Sequence, residues 1–307
     1  MTIVNALFPV LVLLVFGVAL KRGGITDSNF LRTSDRLIYY VFFPVMLFWK
    51  IGGAPFEFAD GGHYLLASAL AVVAVFLASL LYIRLRPVGR FQAGSFSQGC
   101  YRFNTYIGMA VVLNALGEDG VRLYGILVGL LIPLINVMAV SVLIWYGEDQ
   151  PSSHGRRLAI TVRHLMANPL ILGCFCGMAY GQFVGYFPVW LDNTLGLISQ
   201  VTLPMALFSI GGSLTFAGLR ANLGLALVSS LIKLALLPTF GLIALHLFGV
   251  TGTAWSVSML FFSLPTSTAI YILSSQLRSD LELASAVIVL STLLSFLSMS
   301  LVLLKAA

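Results

Sequence analysis

Apolar runs of about twenty residues, separated by short polar segments, make up most of this chain. A run of that length crosses the roughly 30 Å hydrocarbon core of a bilayer when it is helical. Because lipid offers no hydrogen bonds to the backbone, such runs are expected to form helices. The pattern therefore predicts an all-α polytopic membrane protein of ten transmembrane helices, at about residues 3–20, 35–53, 63–83, 94–116, 121–146, 165–186, 191–213, 222–248, 254–276 and 282–304.

One polar segment is longer than the others and divides these helices into two groups of five. Residues 147–163 contain the sequence EDQPSSHGRR. We interpret residues 1–146 as a first five-helix unit and residues 164–307 as a second. The segment 147–163 is then a cytoplasmic linker between them.

The composition excludes a water-soluble protein of this size. Of the 307 residues, 59% are hydrophobic and 9% are charged, and the mean hydropathy is +0.99. A soluble domain carries about 25% charged residues. The net charge of +6 indicates membrane orientation rather than nucleic-acid binding, because Lys and Arg accumulate in cytoplasmic loops.

The Lys and Arg positions predict the orientation. With the N-terminus outside, twelve fall in cytoplasmic loops: Lys21, Arg22, Arg32, Arg36, Arg84, Arg86, Arg90, Arg156, Arg157, Arg163, Arg220 and Arg278. The opposite side holds three, which are Lys50, Arg122 and Lys305. This asymmetry predicts a multi-pass protein of the cell inner or plasma membrane with both termini on the outer side.

The two halves are related in sequence. A shift of 160 residues aligns Pro9 with Pro169, Gly17 with Gly177, and nine further identities between residues 8 and 52 and their counterparts. Because each half holds an odd number of helices, the second must enter the membrane from the opposite side. The chain is therefore predicted to contain two inverted five-helix repeats, an arrangement found in secondary transporters.

Predicted helices 4 and 9 each carry a polar cluster at mid-depth. In helix 4 the cluster is Arg102-Phe103-Asn104-Thr105-Tyr106, and in helix 9 it is Pro265-Thr266-Ser267-Thr268. Proline disfavours helix at the preceding residue, and Asn and Thr cap helices that begin. A shift of 161 residues aligns the two clusters. We therefore predict two broken helices that cross at a binding site, with Asn104 at a solvated cavity.

The charge pattern points to an anionic ligand. No Asp or Glu occurs between residues 61 and 117 or between residues 193 and 279. The charges left inside helices are positive, Arg102 and Lys233, and half-helix N-termini also attract anions. Lys233 has an alternative role, capping freed carbonyls at the crossing. Arg102 could instead extend to the cytoplasmic edge.

Weaker candidates for the cavity lining are the amide side chains Asn136, Gln200, Gln98 and Asn114. The three cysteines and four histidines show no metal-binding spacing. We predict no cofactor and no metal. No nucleophile–base pair stands out in the membrane segments, so the chain is not predicted to be an enzyme.

Four segments resemble the auxin efflux carrier family, which includes bacterial proteins described as malate or malonate permeases and the plant PIN-formed carriers. They are RFNTYIG (102–108), SQVTLPMALFSIGGSL (199–214), KLALLP (233–238) and LPTSTAIYILSSQL (264–277). The resemblance implies a scaffold, a mobile transport domain and elevator-type alternating access. Plant members have a proline where this chain has Phe103 and an aspartate where it has Gln200. Auxin is therefore not implied as the substrate.

We expect a carrier of a small organic anion, a carboxylate, embedded in a lipid bilayer with no nucleic-acid partner; a homodimer is compatible with this expectation. Two alternatives are a sodium-coupled symporter of the bile-acid-carrier type and a membrane-embedded ligand sensor. In the former, hydroxyls such as those of Thr266, Ser267 and Thr268 would hold sodium.

Overall fold

The computed structural model describes residues 2–53, 62–146, 168–214 and 219–306, and within these ranges every element is helical. The predicted all-α class is therefore confirmed for this part of the chain. The predicted linker, 147–163, and the first residues of predicted helix 6 lie outside the described ranges.

The first half contains six α-helices in the described residues. They are α1 (Thr2–Arg22), α2 (Ser28–Leu37), α3 (Phe43–Gly52), α4 (His63–Leu85), α5 (Arg90–Tyr101) and α6 (Thr105–Tyr146). A π-helical turn, Ile38–Phe42, joins α2 to α3 just before Pro44, which has no N–H for the helical ladder. Gly117, with φ 67° and ψ −156°, divides α6 into two helical parts.

The second half contains seven α-helices in the described residues. Its described helices are α7 (Pro169–Phe183), α8 (Val189–Ser213), α9 (Leu219–Leu231), α10 (Leu237–Leu247), α11 (Gly252–Ser263), α12 (Ala269–Gln276) and α13 (Leu281–Ala306). A second π-helical turn, Ile232–Leu236, joins α9 to α10 and again precedes a proline, Pro238.

Six helical segments in the described chain are long and apolar enough to cross a membrane. They are Val4–Arg22, His63–Leu85, Arg90–Tyr146, Val189–Ser213, Leu219–Leu247 and Leu281–Lys305. The predicted number of ten remains a prediction. Arg90–Tyr146 contains both predicted helix 4 and predicted helix 5. Predicted helix 2 is continuously helical over residues 28–52 but carries Arg32, Asp35, Arg36 and Lys50, and the two pieces of predicted helix 9 are individually too short to count as spans.

Glycines bring the backbones of two helix pairs into contact. A Cβ atom on Gly17 of α1 would lie 1.9 Å from the Phe208 carbonyl oxygen of α8. One on Gly177 of α7 would lie 3.1 Å from the Phe48 carbonyl oxygen of α3. Small residues allow such close packing between helices in membranes. The two contacts are related by the 160-residue shift, with the roles of the halves exchanged.

A second pair of contacts repeats this exchange. A Cβ on Gly52 would lie 3.3 Å from the Gly177 carbonyl oxygen, and a Cβ on Gly212 would lie 3.3 Å from that of Gly17. The helices α1, α3, α7 and α8 thus pack together as one group. The helices α4, α5, α9, α10, α11 and α13 pack together as another, and α6 contacts both.

Candidate functional site

The first helix break separates α5 from α6. Arg102 is extended, with φ −67° and ψ 147°, and α6 begins at Thr105. The Asn104 Oδ1 atom accepts hydrogen bonds from the backbone N–H groups of Tyr106 and Ile107, both at 3.1 Å. These two N–H groups have no carbonyl partner in the helix itself, which is why asparagine is favoured at this position. The predicted break and its asparagine cap are confirmed.

The second break separates α11 from α12. Leu264 is extended, with φ −68° and ψ 149°, as expected for a residue before proline. The Ser267 hydroxyl accepts a hydrogen bond from the Ala269 N–H at 3.2 Å, at the start of α12. Thr266 is fully buried, and its N–H donates to the Ser291 hydroxyl of α13 at 3.0 Å. This break, too, was predicted correctly.

Hydrogen bonds join the two breaks. The Asn104 N–H donates to the Pro265 carbonyl oxygen at 2.9 Å. The Thr266 hydroxyl donates to the Gly99 carbonyl oxygen, near the end of α5, at 2.9 Å. The rings of Phe103 and Phe261 lie 4.4 Å apart between centroids. The two breaks therefore lie side by side, and this place is called the crossing below.

Backbone N–H groups at the crossing remain available for a ligand. Those of Thr105, Ser267 and Thr268 have no acceptor among the described residues, and all three residues are partly exposed. The Asn104 Oδ1 atom is used by the cap, which leaves its Nδ2 group as a further donor. Asn104 itself is only 2% exposed, so the expectation of a solvated asparagine was wrong. It is buried because it caps α6 from inside the crossing.

Arg102 is held within the protein. Its side chain is 9% exposed. Its Nη1 atom donates to Gln98 Oε1 at 3.1 Å, and its Nη2 atom donates to Asn136 Oδ1 at 2.9 Å. The guanidinium is therefore buried and does not extend to the cytoplasmic edge. Asn136 is linked to the crossing by its hydrogen bond with Arg102.

Lys233 is fully buried on the π-helical turn before Pro238. Its ammonium donates to the Phe262 carbonyl oxygen at 3.0 Å. That carbonyl lies in the last turn of α11, where helical carbonyls lack partners. This is the contact that the capping alternative requires. Among the described residues, neither Lys233 nor Arg102 contacts a carboxylate.

Two predicted candidates lie away from this cluster. Gln200 is exposed on α8 and makes no hydrogen bond to the crossing within the described chain. The Asn114 amide donates to the Ala6 carbonyl oxygen of α1 at 3.5 Å. Their sequence context, an amide within an apolar helix, does not indicate which face of the helix they occupy.

Two residues near the crossing were not predicted. Ser291 of α13 accepts the Thr266 N–H. Tyr124 of α6 places its hydroxyl against Gly108, where a Cβ atom would lie 1.9 Å from it. No periodic pattern distinguishes either residue from its neighbours, so the sequence carried no signal for them.

Comparison with known proteins identifies the family to which this chain belongs. The family model described as "Membrane transport protein" matches residues 123–303, which is more than half of the 307 residues.

The chain belongs to this family. The matched region contains the second helix break, Lys233 and Ser291. It is the family, also called the auxin efflux carriers, that the four sequence segments resemble.

Three proteins whose names describe them as transporters are similar to this chain over most of its length. A protein of Rhizobium meliloti with the provisional name of malonate transporter is 28% identical over 272 residues, which cover 85% of this chain and 82% of the relative. An uncharacterized transporter of Methanocaldococcus jannaschii is 21% identical, with 95% of both chains covered. Another, from Methanothermobacter thermautotrophicus, is 22% identical over 97% of this chain and 96% of its own. This chain is therefore a multi-pass membrane protein of a transporter family.

Proposed function

We propose that this protein is a secondary transporter of a small organic anion, a carboxylate, which binds where the two broken helices cross. The observation that carries the proposal is the hydrogen bond from the Asn104 N–H to the Pro265 carbonyl oxygen. It places the starts of α6 and α12 side by side. In transporters built from inverted repeats, such paired breaks hold the substrate.

The charges at the crossing support an anion. The free N–H groups of Thr105, Ser267 and Thr268 lie at helix N-termini, where the helix dipole favours negative charge. Arg102 and Lys233 are buried with neutral oxygen partners. A buried cation without a counter-charge is unfavourable, and a bound carboxylate would supply that charge. The provisional name of the Rhizobium relative makes malonate the first ligand to test.

The helix packing supports ten helices in two inverted repeats. The Gly17–Phe208 and Gly177–Phe48 contacts exchange the two halves under the 160-residue shift, as a two-fold axis between the repeats would require. The group α1, α3, α7 and α8 would be the scaffold. The group that holds the crossing would move against it, which is the elevator form of alternating access.

The proposed orientation places both termini outside, as the Lys and Arg asymmetry indicates. Ser28, at the start of α2, would then be cytoplasmic, and Thr251, between α10 and α11, would face outward; both are exposed. Single cysteines at these positions, in a cysteine-free background, test this in whole cells. We expect an impermeant maleimide to label Thr251→Cys only; labelling of Ser28→Cys alone would reverse the orientation.

Flux measurements in proteoliposomes test the function itself. We expect radiolabelled malonate to enter vesicles preloaded with unlabelled malonate, with no need for a sodium gradient. An absolute requirement for sodium would favour the symporter alternative. Binding without any flux would favour a sensor. If no small carboxylate in a panel binds or moves, the proposed function is wrong.

A further inference from the structure

One residue away from the crossing has a backbone conformation that its type rarely adopts. Arg278 lies just after α12 and has a φ of 52°. Within the described part of the chain, every other residue with a positive φ is a glycine. The left-handed conformation is unfavourable for a residue with a Cβ atom, and glycine is the usual residue where a helix ends in this way. An arginine at this position therefore calls for a specific reason.

The first half of the chain has a glycine at the corresponding position. The 161-residue shift that aligns the two polar clusters also aligns Gly117 with Arg278. Gly117 has a φ of 67°. Both halves therefore contain a left-handed residue here, and the second half uses a residue for which that conformation is unfavourable. The turn itself does not need an arginine, so the reason for Arg278 lies in its side chain.

The Arg278 side chain lines a cavity at the end of α12. The cavity has a volume of about 450 Å³, and its lining includes Ser275 and two carboxylates, those of Asp280 and Glu282. Asp280 caps α13 by accepting a hydrogen bond from the Leu283 N–H at 2.9 Å, and Glu282 lies in the first turn of that helix. Both negative charges are thus offset by the α13 dipole, whereas Arg278 offers paired donors for a carboxylate.

A polar stripe on α12 connects this cavity with the crossing. Thr268, Tyr271, Ser275 and Arg278 recur at intervals of three, four and three residues, which places them on one helix face. The last three are exposed, and Thr268, whose N–H is free at the crossing, is partly exposed. The eight residues of α12 span about 12 Å. Polar faces at membrane depth line water-filled cavities rather than lipid, so the stripe fits a path for a polar ligand.

We propose that Arg278 is a capture site for the carboxylate at the cytoplasmic end of this path, from which the anion passes along the stripe to the crossing. This inference rests on the proposed function and orientation, because it requires an anion that moves and an α12 that ends on the cytoplasmic side. A positive charge at the mouth of such a path raises the local concentration of anions and the rate at which they enter. It acts on the rate of entry and exit more than on the affinity of the crossing.

Arg278→Gly removes the side chain and keeps the turn, since glycine adopts the left-handed conformation readily. We expect the association rate constant of malonate to fall about threefold to tenfold at low ionic strength, and the difference from the wild type to shrink at about 1 M salt. The Kd should change less than about twofold, because the crossing is intact and dissociation slows equally. Stopped-flow fluorescence measures the rate, calorimetry measures the Kd, and the melting temperature should be maintained. Malonate is replaced as the probe by whichever panel carboxylate the wild type binds.

Arg86→Gln is the matched control. Arg86 is also exposed and also follows a helix, α4, on the proposed cytoplasmic side. We expect its association rate constant to stay within about twofold of the wild type. Equal reductions in the two variants would overturn the proposal, since they would indicate an effect of overall charge. A loss of affinity in Arg278→Gly as large as its loss of rate would also overturn it, because Arg278 would then hold the bound ligand.

Asn104→Asp separates this inference from the proposed function. If Asn104→Asp abolishes binding while malonate reaches Arg278→Gly at the wild-type rate, the crossing is the site and Arg278 has no part in access to it. If the wild type binds no carboxylate of the panel, the proposed function is wrong and the role of Arg278 falls with it.

Discussion

Asn104 performs two tasks that substitutions can separate. Its Oδ1 atom caps α6 by accepting from Tyr106 and Ile107. Its Nδ2 group is free to donate to a ligand. Asn104→Ala removes both functions. Asn104→Asp keeps an acceptor for the cap, replaces the donor by an acceptor, and adds negative charge.

The two functions differ in magnitude. Loss of a helix cap costs about 1 kcal/mol of stability. Loss of a hydrogen bond to a charged ligand costs about 1.5–3 kcal/mol, which is roughly a tenfold to 150-fold loss of affinity. Asn104→Ala should therefore lower the melting temperature slightly and weaken malonate binding within that range. Asn104→Asp should melt near the wild type and bind at least as weakly as the alanine variant, because its carboxylate repels the ligand.

Binding by isothermal titration calorimetry and melting by a thermal-shift assay measure the two effects on the same detergent-solubilised samples. Asn104→Ser, which retains a short acceptor but no amide, should resemble the aspartate variant in stability and the alanine variant in affinity. Wild-type affinity in Asn104→Asp would refute the argument, since a carboxylate cannot donate to an anion.

Three further predictions concern Pro265, Lys233 and the ion pair of Lys50. Pro265→Ala restores an N–H and lets residue 264 become helical, so it should slow malonate flux more than it weakens binding; equal losses would contradict this. Lys233→Met removes a fully buried ammonium, so malonate affinity should fall about tenfold while the melting temperature is maintained. A large fall in melting temperature with unchanged affinity would reduce Lys233 to a cap for Phe262. The ion pair between Lys50 at the end of α3 and Glu118 beyond the kink in α6, at 2.7 Å, joins the proposed scaffold to the helix that contacts both groups. Lys50→Gln should change the flux less than about fivefold, because exposed pairs contribute at most about 1 kcal/mol. The exchanged pair Lys50→Glu with Glu118→Lys should restore any flux that Lys50→Gln loses, and failure to do so would exclude this role.

The helix breaks were predictable because their signals are local. Proline at position 265 and an asparagine cap at position 104 act within a few residues, so the sequence alone indicates where each helix ends and the next begins. The repeat alignment then placed the two breaks opposite each other. The contacts of Gly17 and Gly177 follow the same alignment.

The solvation of the site was not predictable in the same way. Which face of a helix meets the crossing depends on packing by distant segments. Asn104 was expected in a solvated cavity and is buried, whereas Gln200 is exposed on α8. The partner of Lys233 was left open between two roles, because nothing in the sequence around position 233 indicates that the Phe262 carbonyl, 29 residues away, lies within reach. The contact between the Tyr124 hydroxyl and Gly108 likewise depends on packing and has no signal in the local sequence.

The two buried cations link the fold to its proposed activity. Arg102 is the first residue of the first break, and Lys233 binds the carbonyl three residues before Pro265. Neither charge is neutralised by a carboxylate among the described residues, and burial without neutralisation is unfavourable. Their partners, neutral amide and carbonyl oxygens, hold the side chains in place but do not neutralise the positive charges. Under the proposed function, a bound anion would neutralise charges that are already buried and held in position, so no flexible side chain would have to be ordered on binding. The same anion would join the starts of α6 and α12, so that charge compensation and the joining of the two repeats occur in a single binding event.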